Sequence, residues 1–580
     1  MKKADSIKKR GQKLIKRFSK TSFKVTRDSK EHIRENIFER FSHIQNIRLL
    51  ILEWSLLVLA LITLGAAQAF WFDDSYTVDT FVNGGTYIEA TVGRVNSMNP
   101  LFATTSSEKT LSRLMFATLI THDYSGHISM GLAQYLHPTD DGKVWTMRLR
   151  DNIYWSDGEP ITNADVLFTL NLIQNPAVTS IYDSNLENVN ISENVAGEIV
   201  FTLRAPYADF ASALEIPIVP KHELEDTPVK TLIEDSFSNL PVVSGAFSYN
   251  AAQTSSKSDE TVVYLSANPY YYKTRARLNS FGVHAYTDKT EVINALNGGA
   301  VTATAELTAA DSDKVSSGTF VARNTPVDAG VFAFFNTSSG RLRDVELRRA
   351  LQSGIDMGAV REKAPGTEPL NYPLLRSQIS LDTMPSLPAY NFDAAAAKVA
   401  ELKGEGELSL NITTVNSGYL PAVAEAIRTE LEKLGIIATV ALYEENQDFL
   451  ANIVQNRAYD ILIYEIQLGA DPDLLPYYHS SQAPGGGLNL SSYRNALVDD
   501  LLIGARETLD TTLRAKKYET FLSYWVEDAP ALGLYQANAT YYYNKNVQSF
   551  SKDVRLVTAM DRFVDVTDWA VNKGSKNTTP

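Results

Sequence analysis

From Trp54 to Phe72 the chain reads WSLLVLALITLGAAQAFWF, with no charged residue, and extending the run back to Leu49 takes in only Glu53. About 20 apolar residues span a bilayer, and indole rings favour the headgroup region, where Trp54 and Trp71 would sit. The pattern predicts a membrane-spanning helix over 49–72. Further along, Val144–Arg150 alternates, with Trp145, Met147 and Leu149 on one face and Thr146, Arg148 and Arg150 on the other. That is the period of a half-buried strand. After the turn residues Asp157, Gly158 and Pro160, Thr162 and Asp165 form a capping box, followed by Val166, Leu167, Leu170 and Ile173 at helical spacing.

A second stretch alternates strand and helix. Leu408–Thr414 reads as a strand, Leu420–Leu434 as a helix stopped by Gly435, and Ile436–Leu442 as a strand. Gln447–Gln455 then reads as a helix and Asp460–Ile466 as a third strand. Such alternation predicts an open, largely parallel sheet, with ligands bound beyond the carboxyl ends of its strands. That rule sets the loops 416–419, 443–446 and 467–473 along one rim. Residues 73–83 read as a spacer and 573–580 as a frayed tail.

Charge divides the chain. The net charge is -14, yet residues 1–48 hold 15 Lys and Arg against 5 Asp and Glu, leaving -24 on the rest. A basic leader before an apolar span predicts a cytoplasmic N-terminus and an external body. Ala67-Gln68-Ala69 resembles a signal-peptidase site, but the long leader and apolar run favour an uncleaved anchor. Ile33, Ile37, Phe41 and Ile44 would share one face of a basic amphipathic helix beside the membrane. The acidic body argues against nucleic acid as a partner. With 580 residues, two to four domains are expected, and with no cysteine the chain has neither disulfides nor a lipidated cysteine anchor.

Chemistry-bearing motifs are lacking. The eight histidines are scattered, and His222-Glu223 lacks the second histidine of H-E-x-x-H. Neither a nucleophile elbow, a phosphate loop nor a dinucleotide fingerprint occurs, and Asp471-x-Asp473 lacks the rest of a calcium loop. No catalysis, cofactor or metal site is expected. Among enzymes, a cell-wall hydrolase is the weakest of the alternatives.

Residues 96–173, which include LAQYLHPTDDGKVWTMRLRDNIYWSDGEPITNADVLFTLNLI, closely resemble family 5 solute-binding proteins, the dipeptide, oligopeptide and nickel binders of ABC importers. IVPKHEL at 218–224, LPVVSGAFSY at 240–249, ANPYYY at 267–272, the segment from VFAFFNTSSG onward, GLNLSSYRNALVDDLL and EDAPALGLY continue the likeness in order. The resemblance implies a type II periplasmic-binding-protein-like α/β clamshell. Its lobe I would comprise 84–114, 236–336 and 537–572, its extra domain 115–235 and its lobe II 337–536, with Asn336 at the crossover.

It also implies capture of a peptide or peptide-like solute by a monomer that delivers to ABC permease subunits. A membrane-tethered sensor, or a binder of a sugar or metal chelate, stays open beside it. The family's amine-anchoring aspartate falls on Leu468 or Gly469 in YEIQLGADPD, and its pocket tryptophan on Ile466. Glu465 and Asp471 are the acids at hand to substitute, neither in register. The expected ligand contacts are Asn336, Asn416, Ser417, Tyr419, Glu465, Gln467, Asp471 and Asn489.

Overall fold

The computed structural model describes residues 48–183, 186–255, 260–316 and 318–577. The leader and its amphipathic segment, up to residue 47, lie outside that range. Two units are distinct: one ends at Thr80 and takes in the C-terminal end from Gly574, the other is the body Phe81–Lys573.

The first unit contains a helix, Arg48–Tyr76. Its Ile51–Gln68 window is long and apolar enough to cross a membrane and is 0% buried. A helix apolar all round must find an apolar surround. Thr63 in that window returns its hydroxyl to the carbonyls of Leu59 and Ala60 at 2.9 Å each. The expected spacer and tail differ from what is found. The helix runs on to Tyr76, and strand Thr77–Val82 pairs with strand Asn572–Asn577. Pairing satisfies backbone groups that two separate frayed segments would leave to water.

In the body, a ten-stranded sheet runs in the order Ile437–Tyr443, Ser409–Val415, Ile461–Gln467, Phe320–Phe335, Ala531–Asn544, Ala303–Thr304, Thr86–Val92, Ser280–Tyr286, Thr261–Ala267 and Phe247–Thr254. Its first three strands are parallel, as the alternation predicts, with helix Leu420–Lys433 between two of them and Gly435 at φ 82° ending that helix. The sheet as a whole is mixed. Phe320–Phe335 and Ala531–Asn544 run antiparallel to each other, because the chain passes out of one lobe on the first and back on the second. The helix expected over 447–455 is a short turn, Gln447–Phe449, continued by the wider π turn Leu450–Val454.

The apolar side chains divide along those two long strands. Val331–Phe335 and Ala531–Tyr535 pack into a lobe II core that includes Ile412, Ile427 and Trp525. Val327, Ala329 and Ala537 join a second core that runs from Tyr87 through Trp145 and Trp155 to Trp569. The crossover on the first strand therefore lies near Gly330, not at Asn336. Asn336 stands at the far end of that strand, where the Asp460 carbonyl accepts its N–H.

The expected extra domain has its own antiparallel sheet, Ala133–Pro138, Val144–Leu149, Ile199–Thr202 and Asn190–Glu193, but shares its core with lobe I. Trp145, Met147 and Leu149 are buried, on the face the alternation assigns. The capping box is formed as well: Asp165 Oδ2 accepts from Thr162 N–H at 2.8 Å, while Oδ1 accepts from Lys221 N–H at 2.9 Å in the IVPKHEL turn.

Candidate functional site

Where the first long strand changes lobes, its register against the second breaks between Pro326 and Gly330 and again between Val331 and Phe332. Pro326 has no N–H to give a ladder, which favours a bulge there. Asp328 lies in the bulge and ties it down. Its N–H donates to Val557 O at 3.1 Å, and its carbonyl accepts from Leu468 N–H at 2.8 Å and Gly469 N–H at 3.2 Å. Its carboxylate accepts from Arg555 Nη2 at 2.5 Å. Burial outweighs that guanidinium and lifts the carboxyl to about 6. Arg555 also donates its N–H to Tyr124 O at 2.9 Å, so one node joins lobe I, lobe II and the extra domain.

Beside this node lies a cavity of about 630 Å³. Thr325, Asp553, Val554 and Arg555 line it from lobe I, and Leu370, Tyr372, Leu375, Arg376 and Met384 from lobe II. Asp328, Glu368, Arg376, Asp553 and Arg555 put charge of both signs on a wall that is otherwise mixed, which suits an organic ligand carrying polar groups. Gln378 Nε2 donates to the carbonyls of Leu468 and Gly469 at 2.9 Å each, where the resemblance puts the missing anchor. That position presents backbone and no carboxylate.

Of the expected contacts, four gather on the lobe II rim. Asn416 N–H donates to Tyr443 O at 2.7 Å, and Ser417 and Tyr419 follow it into the helix Leu420–Lys433. The lobes approach closely here, since a Cβ on Gly418 would stand 3.5 Å from Thr308 Cγ2. Glu465 sits one strand over. Its carboxylate reaches solvent yet lies deep among protein atoms, and that desolvation, with Glu445 nearby, raises it to about 7. Among the described residues it has no hydrogen-bond or ion-pair partner.

The other four are spent on structure. Asn336 Nδ2 donates to the carbonyls of Arg457 and Tyr459 at 3.1 and 3.0 Å. Asn489, fully buried, donates to His479 O at 3.1 Å and Tyr493 O at 2.8 Å. Gln467 Nε2 donates to Asp328 O at 2.9 Å and to Val557 O at 2.8 Å, bridging the lobes rather than offering itself to a solute. Asp471 pairs with Arg514 at 2.7 Å and Asp473 with Arg506 at 2.5 Å. Asp471 Oδ2 thus forms an ion pair that fixes the loop after the strand, while its Oδ1 is buried without a hydrogen-bond partner among the described residues.

Asp328, Arg555 and Gln378 are absent from the expected contacts, and no local motif marks them, because their partners lie far off in sequence. No metal site is expected from the scattered histidines, and the fold brings some of them beside carboxylates from distant segments. Among the described residues there are two such groups, His122 with Glu215 and Asp561, and Asp157 with His222 and Glu223. In the first, Asp561 and Glu215 outweigh burial and raise the imidazole to about 10.

Two lobes on a pair of crossing strands, with a cavity at the crossing, define a solute-binding protein of the clamshell class. The chain belongs to the bacterial extracellular solute-binding proteins, family 5, whose middle-region model matches residues 127–487. It is 23% identical over 494 residues to the oligopeptide-binding protein AppA of Bacillus subtilis, covering 80% of this chain and 89% of that protein. The structure of AppA with a nonapeptide superposes with a TM-score of 0.69 at 20% identity, covering 85% of this chain and all of that one. NikZ of Campylobacter jejuni, in complex with Ni(L-His), gives a TM-score of 0.70 at 22% identity over 84% and 99% of the two chains.

Proposed function

We propose that the body captures a peptide or peptide-like solute between its lobes and presents it to the permease of an ABC importer, acting by binding and not by catalysis. The helix Arg48–Tyr76 would hold it at the outer face of the membrane. The observation that carries this reading is the cavity at the hinge, walled by both lobes, in a chain whose relative AppA is named for oligopeptide binding. Glu465, an unpaired carboxylate three residues before the position of the missing anchor and outside the lining of that cavity, is the group on the rim suited to a ligand ammonium. Tyr419 and Ser417 offer hydroxyls from the neighbouring loop.

A ligand that binds only the folded, closed form stabilises it by RT ln(1 + [L]/Kd), about 2.7 kcal/mol at a hundredfold excess over Kd. For a domain pair of this size the melting temperature should rise by a few degrees. Melting curves of the full chain in detergent, with and without a mixture of short peptides, read this directly. If a sugar or a metal chelate shifts the curve and no peptide does, the substrate is misassigned and the binding fold stands.

A further inference from the structure

At the seam between the extra domain and lobe I, three metal-ligating side chains from distant segments converge. Leu119 N–H donates to Ile216 O at 3.1 Å and Ile120 N–H to Leu214 O at 3.3 Å, so the strand Ile120–His122 runs beside 214–217 and sets His122 next to Glu215. Asp561 comes from lobe I, in the 3-10 helix Ala559–Asp568. Thr558 N–H holds its Oδ2 at 2.7 Å, which turns Oδ1 toward the imidazole.

His122 is 5% exposed, yet neither ring nitrogen makes a hydrogen bond. Nδ1 lies 3.5 Å from Glu215 Oε2 and 3.7 Å from Asp561 Oδ1. Those gaps are long for N–H···O bonds. They match the separation of about 3.4 Å between donors in a tetrahedral shell with bonds of about 2.1 Å. A cavity of about 200 Å³, lined in part by Lys109, Arg113, Thr118, Tyr182 and Met560 but not by His122, opens on the two carboxylates and leaves room for a water ligand.

We infer that His122, Glu215 and Asp561 form a site for a divalent first-row transition metal that staples the extra domain to lobe I. One imidazole and two carboxylates suit zinc, manganese, cobalt or nickel, whereas calcium and magnesium prefer oxygen alone. Arg113 orients the ligands: Nη1 donates to Glu215 Oε1 at 2.9 Å and Nη2 to Asp561 Oδ1 at 3.3 Å. Glu215 Oε2 and a second lone pair on Asp561 Oδ1 stay available. On loading, the metal takes the Nδ1 lone pair and the ring proton leaves to solvent.

The site is separate from the hinge cavity, and its test needs no peptide. Metal-stripped full chain in detergent is titrated with Zn2+, and with Mg2+ as the contrast, by calorimetry and by melting. The expected result is one Zn2+ per chain, a melting temperature several degrees higher, and no response to Mg2+. His122→Ala and Glu215→Gln should each weaken Zn2+ binding tenfold or more. His222→Ala should leave it intact, because that exposed imidazole belongs to the other group and already bonds Asp157 Oδ2 at 2.9 Å. Should a variant prove too unstable to titrate, Co2+ added to the wild type reports on the site, since a buried four- or five-coordinate site gives visible bands far stronger than hydrated Co2+. Unchanged binding in His122→Ala, loss in His222→Ala, or a cobalt spectrum like the hydrated ion overturns the proposal. So does absence of Zn2+ binding, which would leave His122 as a buried imidazolium between its carboxylates.

Discussion

Asp328 and Arg555 meet at 2.5 Å across the point where the chain changes lobes, and Asp328 is 2% exposed there. Burial raises its carboxyl to about 6 although the guanidinium opposes it. A carboxyl whose folded pKa lies above the unfolded value of about 3.9 contributes stability that is full below pH 4. That contribution is lost as pH rises through about 6. The wild type should therefore lose, relative to Asp328→Asn, roughly 3 kcal/mol or less between pH 4 and pH 7. Denaturant unfolding of both proteins across that range checks it, and parallel profiles would refute the assignment.

Asp471→Asn tests a structural role. Arg514, its partner, has a side chain only 6% exposed. Losing the charge on one side should cost about 1–3 kcal/mol in the unliganded protein. The peptide-induced shift in melting should persist. An unchanged melting temperature together with a lost peptide shift would return Asp471 to the ligand.

Local patterns carried much of the fold. The Thr162–Asp165 box, the buried side of Val144–Leu149 and the stop at Gly435 depend on residues a few positions apart, and all are found. The crossover could not be read in the same way. Residues 327–335 are all buried, in one lobe or the other, so no alternation of apolar and polar positions marks where the core changes. Asn336 and Asn489 look like ligand contacts in a sequence because polar residues in such a family stretch suggest them. Their amides instead close off carbonyls of neighbouring loops, and only the tertiary contacts reveal that. The convergence of His122, Glu215 and Asp561 is invisible for a related reason, since these residues come from segments far apart in the chain.

Glu465 should make solute binding depend on pH. Its carboxyl, raised to about 7 by desolvation and by Glu445, becomes charged as pH rises through that value. A peptide with a free amino terminus should then bind more tightly at pH 8 than at pH 6. Glu465→Gln should flatten the dependence and weaken binding about tenfold at pH 8, the size of one charge-assisted hydrogen bond in a partly solvated setting. Wild-type affinity in that variant at pH 8 would remove Glu465 from the site.

The helix Arg48–Tyr76 follows a basic leader, so the leader should be cytoplasmic. Protease added to intact cells should digest the body and spare a membrane-bound fragment that includes residues 1–48. Recovery of a soluble protein beginning near Phe70 would contradict anchoring.

Capture of one peptide-like solute between the lobes can be read by native mass spectrometry of the full chain in detergent, mixed with an equimolar set of short peptides. A single 1:1 adduct, selected from the set and lost when the protein is unfolded, is expected. A bare chain at every peptide concentration, or adducts of random number and composition, would contradict it.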